Sequence, residues 1–441
     1  MGPPTRKRES LPERSLKAVW HPCTQMKQHE KLPLVSIARA EGVWLYDYDG
    51  KRYLDAIGSW WVNLFGHSNN RINAAVREQL DKMEHVMLAG FTHEPVVELS
   101  ERLSGLVPGR LGHCFYSSDG ASATEIALKM SFQYWRNGGR PDKTRFVSVQ
   151  NGYHGETLGA LSVTGVELFT NAYAPLLRPS VQVRTPDWRF AAEGESAEEC
   201  ALRAASMLES HLAEHHAQTA GFIVEPLVQG ATGMGMHHPA YLKRAREICD
   251  RHEVHLIADE IAVGFGRTGT MFACEQAGIA PDILCLGKGL SGGYLPLSVT
   301  MTTETIYQAF YDDDIARGFL HSHTHSGNAL ACRAALATLD IFEHDDIIMA
   351  NRAKANYFNR LLLPLATHPR VKNFRNQGMI WAFEVETTDP AFSSSLFQAG
   401  LQEGLCLRPL GNTVYFMPPY TITPQEMDHL AVGTLRTLET C

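Results

Sequence analysis

Between about residues 110 and 330 short apolar runs alternate with segments of helical period, and no other feature limits the fold so narrowly. The runs are HCFYSS, RFVSVQ, GFIVEPLV, VHLIADE and DILCLG, and the segments between them include 122–135 and 239–252. Strands that are apolar almost throughout, separated by helices, predict a mostly parallel sheet covered on both faces. Ahead of this region GVWLYDYDGKRYLDAI has two alternating runs joined by Asp49-Gly50, a strong hairpin signal. After about residue 335, helical periods (ALATLDIFEHD, ANRAKANYFNRLLLPLA) give way to strands around MIWAFEVE and NTVYFMPP. The expected organisation is a large α/β domain over residues 71–334 and a smaller α+β domain built from residues 1–70 and 335–441, with residues 1–15 disordered.

Composition narrows the function. The 441 residues are 44% hydrophobic and 20% charged, enough for a large core. A net charge of −8 and the lack of a Lys/Arg stripe argue against nucleic acid, which leaves small-molecule substrates. Nine scattered cysteines without a C-x-x-C pair suggest neither a disulfide framework nor structural zinc. The basic start MGPPTRKRES leads into no apolar stretch, Arg6 stands where a myristoylation signal needs Ser or Thr, and no run reaches the length of a membrane span. A cytoplasmic protein with no membrane contact is expected.

The last six residues of VHLIADEIAVGFGRTG fit G-x-G-x-x-G. A dinucleotide site needs those glycines directly after the strand and at the start of a helix, whereas here Glu260 to Gly264 intervene and TGTMFACEQAGIAPD follows. An NAD-dependent oxidoreductase is thus a rival resting on this pattern alone. Two other residues carry more chemistry. Asp259 ends the strand VHLIA, and Lys288 follows the strand DILCLG between Gly287 and Gly289. In open α/β sheets ligands lie at the carboxyl ends of strands, so both side chains point toward one crevice. A desolvated lysine there is a nucleophilic amine suited to Schiff-base chemistry, and a strand-end aspartate is the partner of a pyridinium nitrogen. The bland alternative is a buried ion pair.

A phosphate-bearing cofactor also needs a helix N-terminus. SSDGASATEIALKM offers Asp119-Gly120-Ala121 followed by Ser122 and Glu125, read as a capping box. In NGYHGET, Tyr153 and His154 sit at another strand end, where an aromatic side chain can stack on a flat ring. His321, His323 and His325 invite a metal reading if they share a strand face, but no acidic or cysteine partner accompanies them, and no metal is expected.

With these features in view, the sequence resembles the class III aminotransferases among the fold type I pyridoxal-phosphate enzymes. DEIAVGFGRTGTMFACEQAGIAPDILCLGKGLSGGYLPLS matches that class's signature, and the likeness runs over nearly the whole chain. It is greatest to members that pass the amino group of S-adenosylmethionine to 8-amino-7-oxononanoate, giving 7,8-diaminononanoate for biotin. VWHPCTQM, GSWWVNLFGH, LAGFTHEPVVELSERL, LKMSFQYW, HSHTHSGNALAC and CLRPLGNTVYFMPPY carry that part.

The resemblance implies pyridoxal 5′-phosphate as cofactor, Lys288 as Schiff-base lysine and proton carrier, and Asp259 as partner of the pyridine nitrogen. It implies Gly120 and Ala121 as phosphate donors, Tyr153 stacked on the ring with His154 beside it, and Glu225 as an acid near the ring. Thr324 would reach the phosphate from the other subunit, hence a homodimer with interfacial sites. Trp60, Trp61 and Tyr153 would line the substrate pocket, and Arg408 would meet the keto substrate's carboxylate. Two departures stand out: Cys23 where many members have tyrosine, and Ala329 where the class often has proline. Cys23 keeps the donor question open, with lysine as donor or a transaminase of ω-amino acids or diamines as alternatives; a rival of another class is a pyridoxal-phosphate binder without catalysis.

Overall fold

The computed structural model describes residues 9–441. Its central sheet has seven strands: β4 (His113–Ser117), β5 (Arg145–Val149), β6 (Val181–Val183), β7 (Thr219–Val224), β10 (His255–Asp259), β11 (Ile283–Leu286) and β12 (Ser298–Thr302). Their spatial order is β4-β12-β11-β10-β7-β5-β6. The pairs from β11 through β6 are parallel, and β12 runs antiparallel to both β11 and β4.

Alternate residues along these strands feed two cores, which is why the runs read as apolar throughout. Ile223, Ile257 and Ile283 meet Ala123, Ile126, Ala127 and Met130 of the helix Gly120–Asn137. Phe222, Leu256 and Leu284 face the other way, into the core shared with the helices Ala197–His215 and Ala240–Arg251. Each such side chain contributes about 1.5–3 kcal/mol on leaving water.

Of the smaller sheets, the four-stranded one joins the two ends of the chain. β1 (Ile37–Glu41), β2 (Trp44–Asp47) and β3 (Arg52–Asp55) form a meander, and β15 (Leu405–Cys406) adds to it in parallel with Leu405 opposite Leu54. The β2–β3 turn is the expected one: Asp47 Oδ1 accepts from the amides of Asp49 and Lys51, and Gly50 takes φ +82°. β13 (Val371–Gln377), β14 (Ile380–Val385) and β16 (Thr413–Phe416) form an antiparallel sheet, and β8 (Val228–Gln229) pairs with β9 (Gly235–Met236).

Three expectations are corrected. The helix near residue 122 starts at Gly120, with Asp119 as its cap accepting from the Ser122 amide at 2.9 Å, so Ser122 and Glu125 form no capping box. Glu125 instead accepts from Thr157 Oγ1 and the amides of Gly159 and Ala160. At the N-terminus Leu11–Ala18 is helical behind a Ser10/Glu13 capping box, so residues 9–15 are ordered, while residues 1–8 lie outside the described part. His321, His323 and His325 lie on a loop, not a strand: His321 and His323 point at each other with Nε2 atoms 3.3 Å apart, and His325 packs on His85. Among the described residues no helix is long and apolar enough to cross a membrane, and all nine cysteines are free.

Candidate active site

β10 and β11 run parallel with Asp259 opposite Cys285, so Asp259 and Lys288, three residues beyond Cys285, leave the sheet at the same edge. Both line a cavity of about 270 Å³, together with Gly120, Ala121, Tyr153, His154, Glu225 and Trp61. Of the residues singled out from sequence, the structure brings these eight together.

Lys288 holds φ +40°, an uncommon conformation for a residue with a side chain. Burial disfavours its ammonium form and lowers its pKa, with Asp259 and Glu225 opposing. Its Nζ lies 5.2 Å from the centre of the Trp61 ring. Asp259 is 4% exposed and accepts from His154 Nδ1 at 2.7 Å and from the Ile261 amide at 3.1 Å. With Nδ1–H committed to the carboxylate, His154 Nε2 is left buried with no partner among the described residues. Glu225 accepts from the Tyr153 amide at 2.8 Å and the Gly230 amide at 3.0 Å. Burial raises its pKa to about 7, with His154 opposing and the Asp259 carboxylate adding to the rise.

One end of the cavity is a helix N-terminus. The Asp119 side chain takes the Ser122 amide, and the amides of Gly120 and Ala121 precede the first internal helix bond, so they can meet an anion. Space there is tight: a Cβ on Gly120 would lie 2.8 Å from Ile261 Cγ2, and one on Gly155, at φ +120°, would lie 2.4 Å from Ala121 Cβ. Anion-ready amides, an aromatic ring, a carboxylate backed by a buried imidazole, and an amine of lowered pKa fit pyridoxal phosphate group by group.

Trp61 donates Nε1–H to Tyr415 at 3.2 Å, and it ends a run of four left-handed residues, Gly58, Ser59, Trp60 and Trp61. Ser59 anchors the run by donating to Asp55 at 2.7 Å. Trp60 and Arg408 do not line the cavity; they pair with each other, the guanidinium 4.2 Å from the ring centre. Thr324 also lies elsewhere, in a separate cleft with Ser118, Leu295 and His325. Sequence reasoning passed over Glu156, which accepts from the Tyr153 hydroxyl at 2.9 Å, and Tyr415, which holds Trp61. Glu156 stood within NGYHGET three residues after Tyr153, a signal that was there to read; Tyr415 had none, being 354 residues from Trp61.

Comparison with known proteins agrees with this chemistry. The family model for aminotransferase class-III matches residues 25–437. The adenosylmethionine-8-amino-7-oxononanoate aminotransferase of Helicobacter pylori is 45% identical over 439 residues, 98% of each chain. The crystal structure of the enzyme of that name from Methanocaldococcus jannaschii superposes with TM-score 0.91 at 36% identity, covering 97% of this chain and 98% of that one. An omega transaminase from Pseudomonas jessenii, in complex with PMP, gives TM-score 0.93 at 30% identity over 98% of both chains. With the family matched over nearly its whole length and the cavity suited to the cofactor, this chain belongs to the class III aminotransferases and is a pyridoxal-phosphate-dependent aminotransferase.

Proposed function

We propose that the protein transfers the amino group of S-adenosylmethionine to 8-amino-7-oxononanoate, giving 7,8-diaminononanoate for biotin. The observation that carries the reaction type is Lys288, an amine of lowered pKa facing the His154-backed Asp259. The substrates are those named for relatives such as the Helicobacter pylori enzyme.

Bound pyridoxal phosphate supplies an electron sink that makes the Cα proton of an attached amine acidic. The rest is the work of the chain's own residues. Gly120 and Ala121 would hold the cofactor's phosphate with backbone amides, Tyr153 would lie against its ring, and Asp259 would hold the proton on its ring nitrogen. His154 supports Asp259 through its Nδ1–H, and Glu225 lies beside this pair. Lys288 Nζ, whose burial disfavours the ammonium form and lowers its pKa, takes the Cα proton of the donor and delivers a proton to the keto carbon of the acceptor in the second half-reaction. Trp61 and Tyr153 close the pocket against water. Trp60 and Arg408, stacked on each other outside the cavity, take no part in these steps.

The chain works as a cytoplasmic homodimer. Thr324, held in its own cleft away from Lys288, serves the phosphate of the neighbouring copy, and the free cysteines suit a reducing compartment. The domain division at residues 71–334 belongs to the same reading; pairing of β3 with β15 supports it. A second reading, with lysine or another amine as donor, draws on Cys23, which is exposed yet close enough to Tyr153 to help raise its phenol pKa.

The test is the visible spectrum of the holoenzyme. S-adenosylmethionine alone should convert the band of the cofactor's aldehyde form to that of its amine form, and 8-amino-7-oxononanoate should restore it. Discharge by lysine but not by S-adenosylmethionine overturns the donor; no discharge by any amine overturns catalysis.

A further inference from the structure

We propose that Arg375 and Arg189, which lie outside the cavity, are positioning residues that set Glu225 and Trp61 through the loop 230–234; this rests on the aminotransferase reading above. Arg375 comes from β13, and its side chain is 1% exposed. It donates Nε–H to Met234 O at 2.9 Å, Nη1–H to Asn373 O at 2.7 Å, and Nη2–H to Gly233 O and to Glu384 Oε1. Arg189 comes from the turn after β6. It donates to the same Glu384 oxygen at 2.8 Å, to Thr232 O at 3.1 Å and to Asp187 Oδ2. Two guanidinium groups, one from a strand and one from a turn, thus share one carboxylate oxygen and take three successive loop carbonyls.

The loop needs that grip. Gly233 and Met234 are both left-handed, at φ +85° and +55°, which costs free energy at Met234 unless contacts hold it. The Met234 amide donates to Gly230 O at 3.1 Å, and the Gly230 amide donates to Glu225 Oε1 at 3.0 Å. Gly230 also abuts the substrate aromatic: a Cβ there would lie 3.1 Å from the Trp61 ring. Thr232 Oγ1 donates to Asn151 O at 3.0 Å, tying the loop to the turn that carries Tyr153. A displacement at residues 232–234 therefore reaches the cavity along two routes.

The groups facing Glu225 are His154, Asp259 and Lys288, with the amides of Tyr153 and Gly230 as its only hydrogen-bond donors among the described residues. Losing the Gly230 amide removes a bond that favours the carboxylate, so Glu225 stays protonated to higher pH. A merely structural ion pair would lower stability and leave that titration alone.

The test compares Arg375→Lys and Glu384→Gln with wild-type holoenzyme. The readouts are kcat/KM across pH, cofactor content and melting temperature. Both variants should retain cofactor, lose about tenfold in kcat/KM at pH 7, and show the acid limb displaced upward by about half a unit or more. If Arg375→Lys does not fold, Glu384→Gln decides, since it keeps the side chain's shape. A pH profile superimposable on wild type, with only the melting temperature lowered, overturns the proposal. Wild-type protein without transamination overturns the functional reading instead, and this proposal with it.

Discussion

In the proposed reaction the chemistry turns on Lys288, and its neighbours make that testable. Lys288→Ala removes the amine without adding volume, so half-reaction rates should fall by about ten-thousandfold or more while melting changes little. Stopped-flow spectra of the variant check this, and near-native rates would remove Lys288 from its role. Lys288 and Asp259 were legible in the sequence because both follow directly on apolar strands. The tie between Asp259 and His154 was not, since 105 residues and a crossover separate them.

At the scale of elements, the proposed phosphate cradle depends on how the Gly120–Asn137 helix meets the turn at Gly155. Gly155→Ala places a methyl group against Ala121 in a backbone conformation that favours glycine. Cofactor retention after gel filtration should drop at least about tenfold with the helix content unchanged. Asp119→Ala should cost about 1 kcal/mol of stability through the lost cap, measured by denaturant titration.

The same helix meets β10 at His255, which bonds to Ser131 at 3.0 Å and stacks on Trp135. Burial depresses its pKa from 6.5 to about 4, so the neutral ring's contribution is whole above pH 6.5 and is lost as pH falls through 4. About 3 kcal/mol is at stake by the difference between those two values. His255→Gln should flatten the fall in melting temperature between pH 6.5 and 4, and an equally steep fall in the variant would assign it to other groups. Strands and helices themselves were legible because their periods are local; the helix start was misread because Ser122 and Glu125 have the spacing of a capping box while Asp119 supplies the cap.

At the scale of the whole molecule, the proposed dimer makes a sharp claim about Thr324. If each site takes its lysine from one chain and Thr324 from the other, mixing Lys288→Ala with Thr324→Ala chains leaves one intact site per heterodimer. Activity should then rise above that of either variant alone, to about a quarter of wild type for random pairing of equal amounts. If Thr324 serves its own chain, mixing restores nothing.

The sequence by itself determined the elements, the parallel sheet and the strand-end positions of Asp259 and Lys288, because periodicity and strand ends are properties of neighbouring residues. Only the tertiary structure decided which residues complete the site. Tyr415 reaches Trp61, His154 reaches Asp259, and Arg375 reaches the loop beside Glu225 across 105 to 354 residues of intervening chain. Those pairings follow from the crossovers that bring distant strand ends together, and no local pattern encodes them.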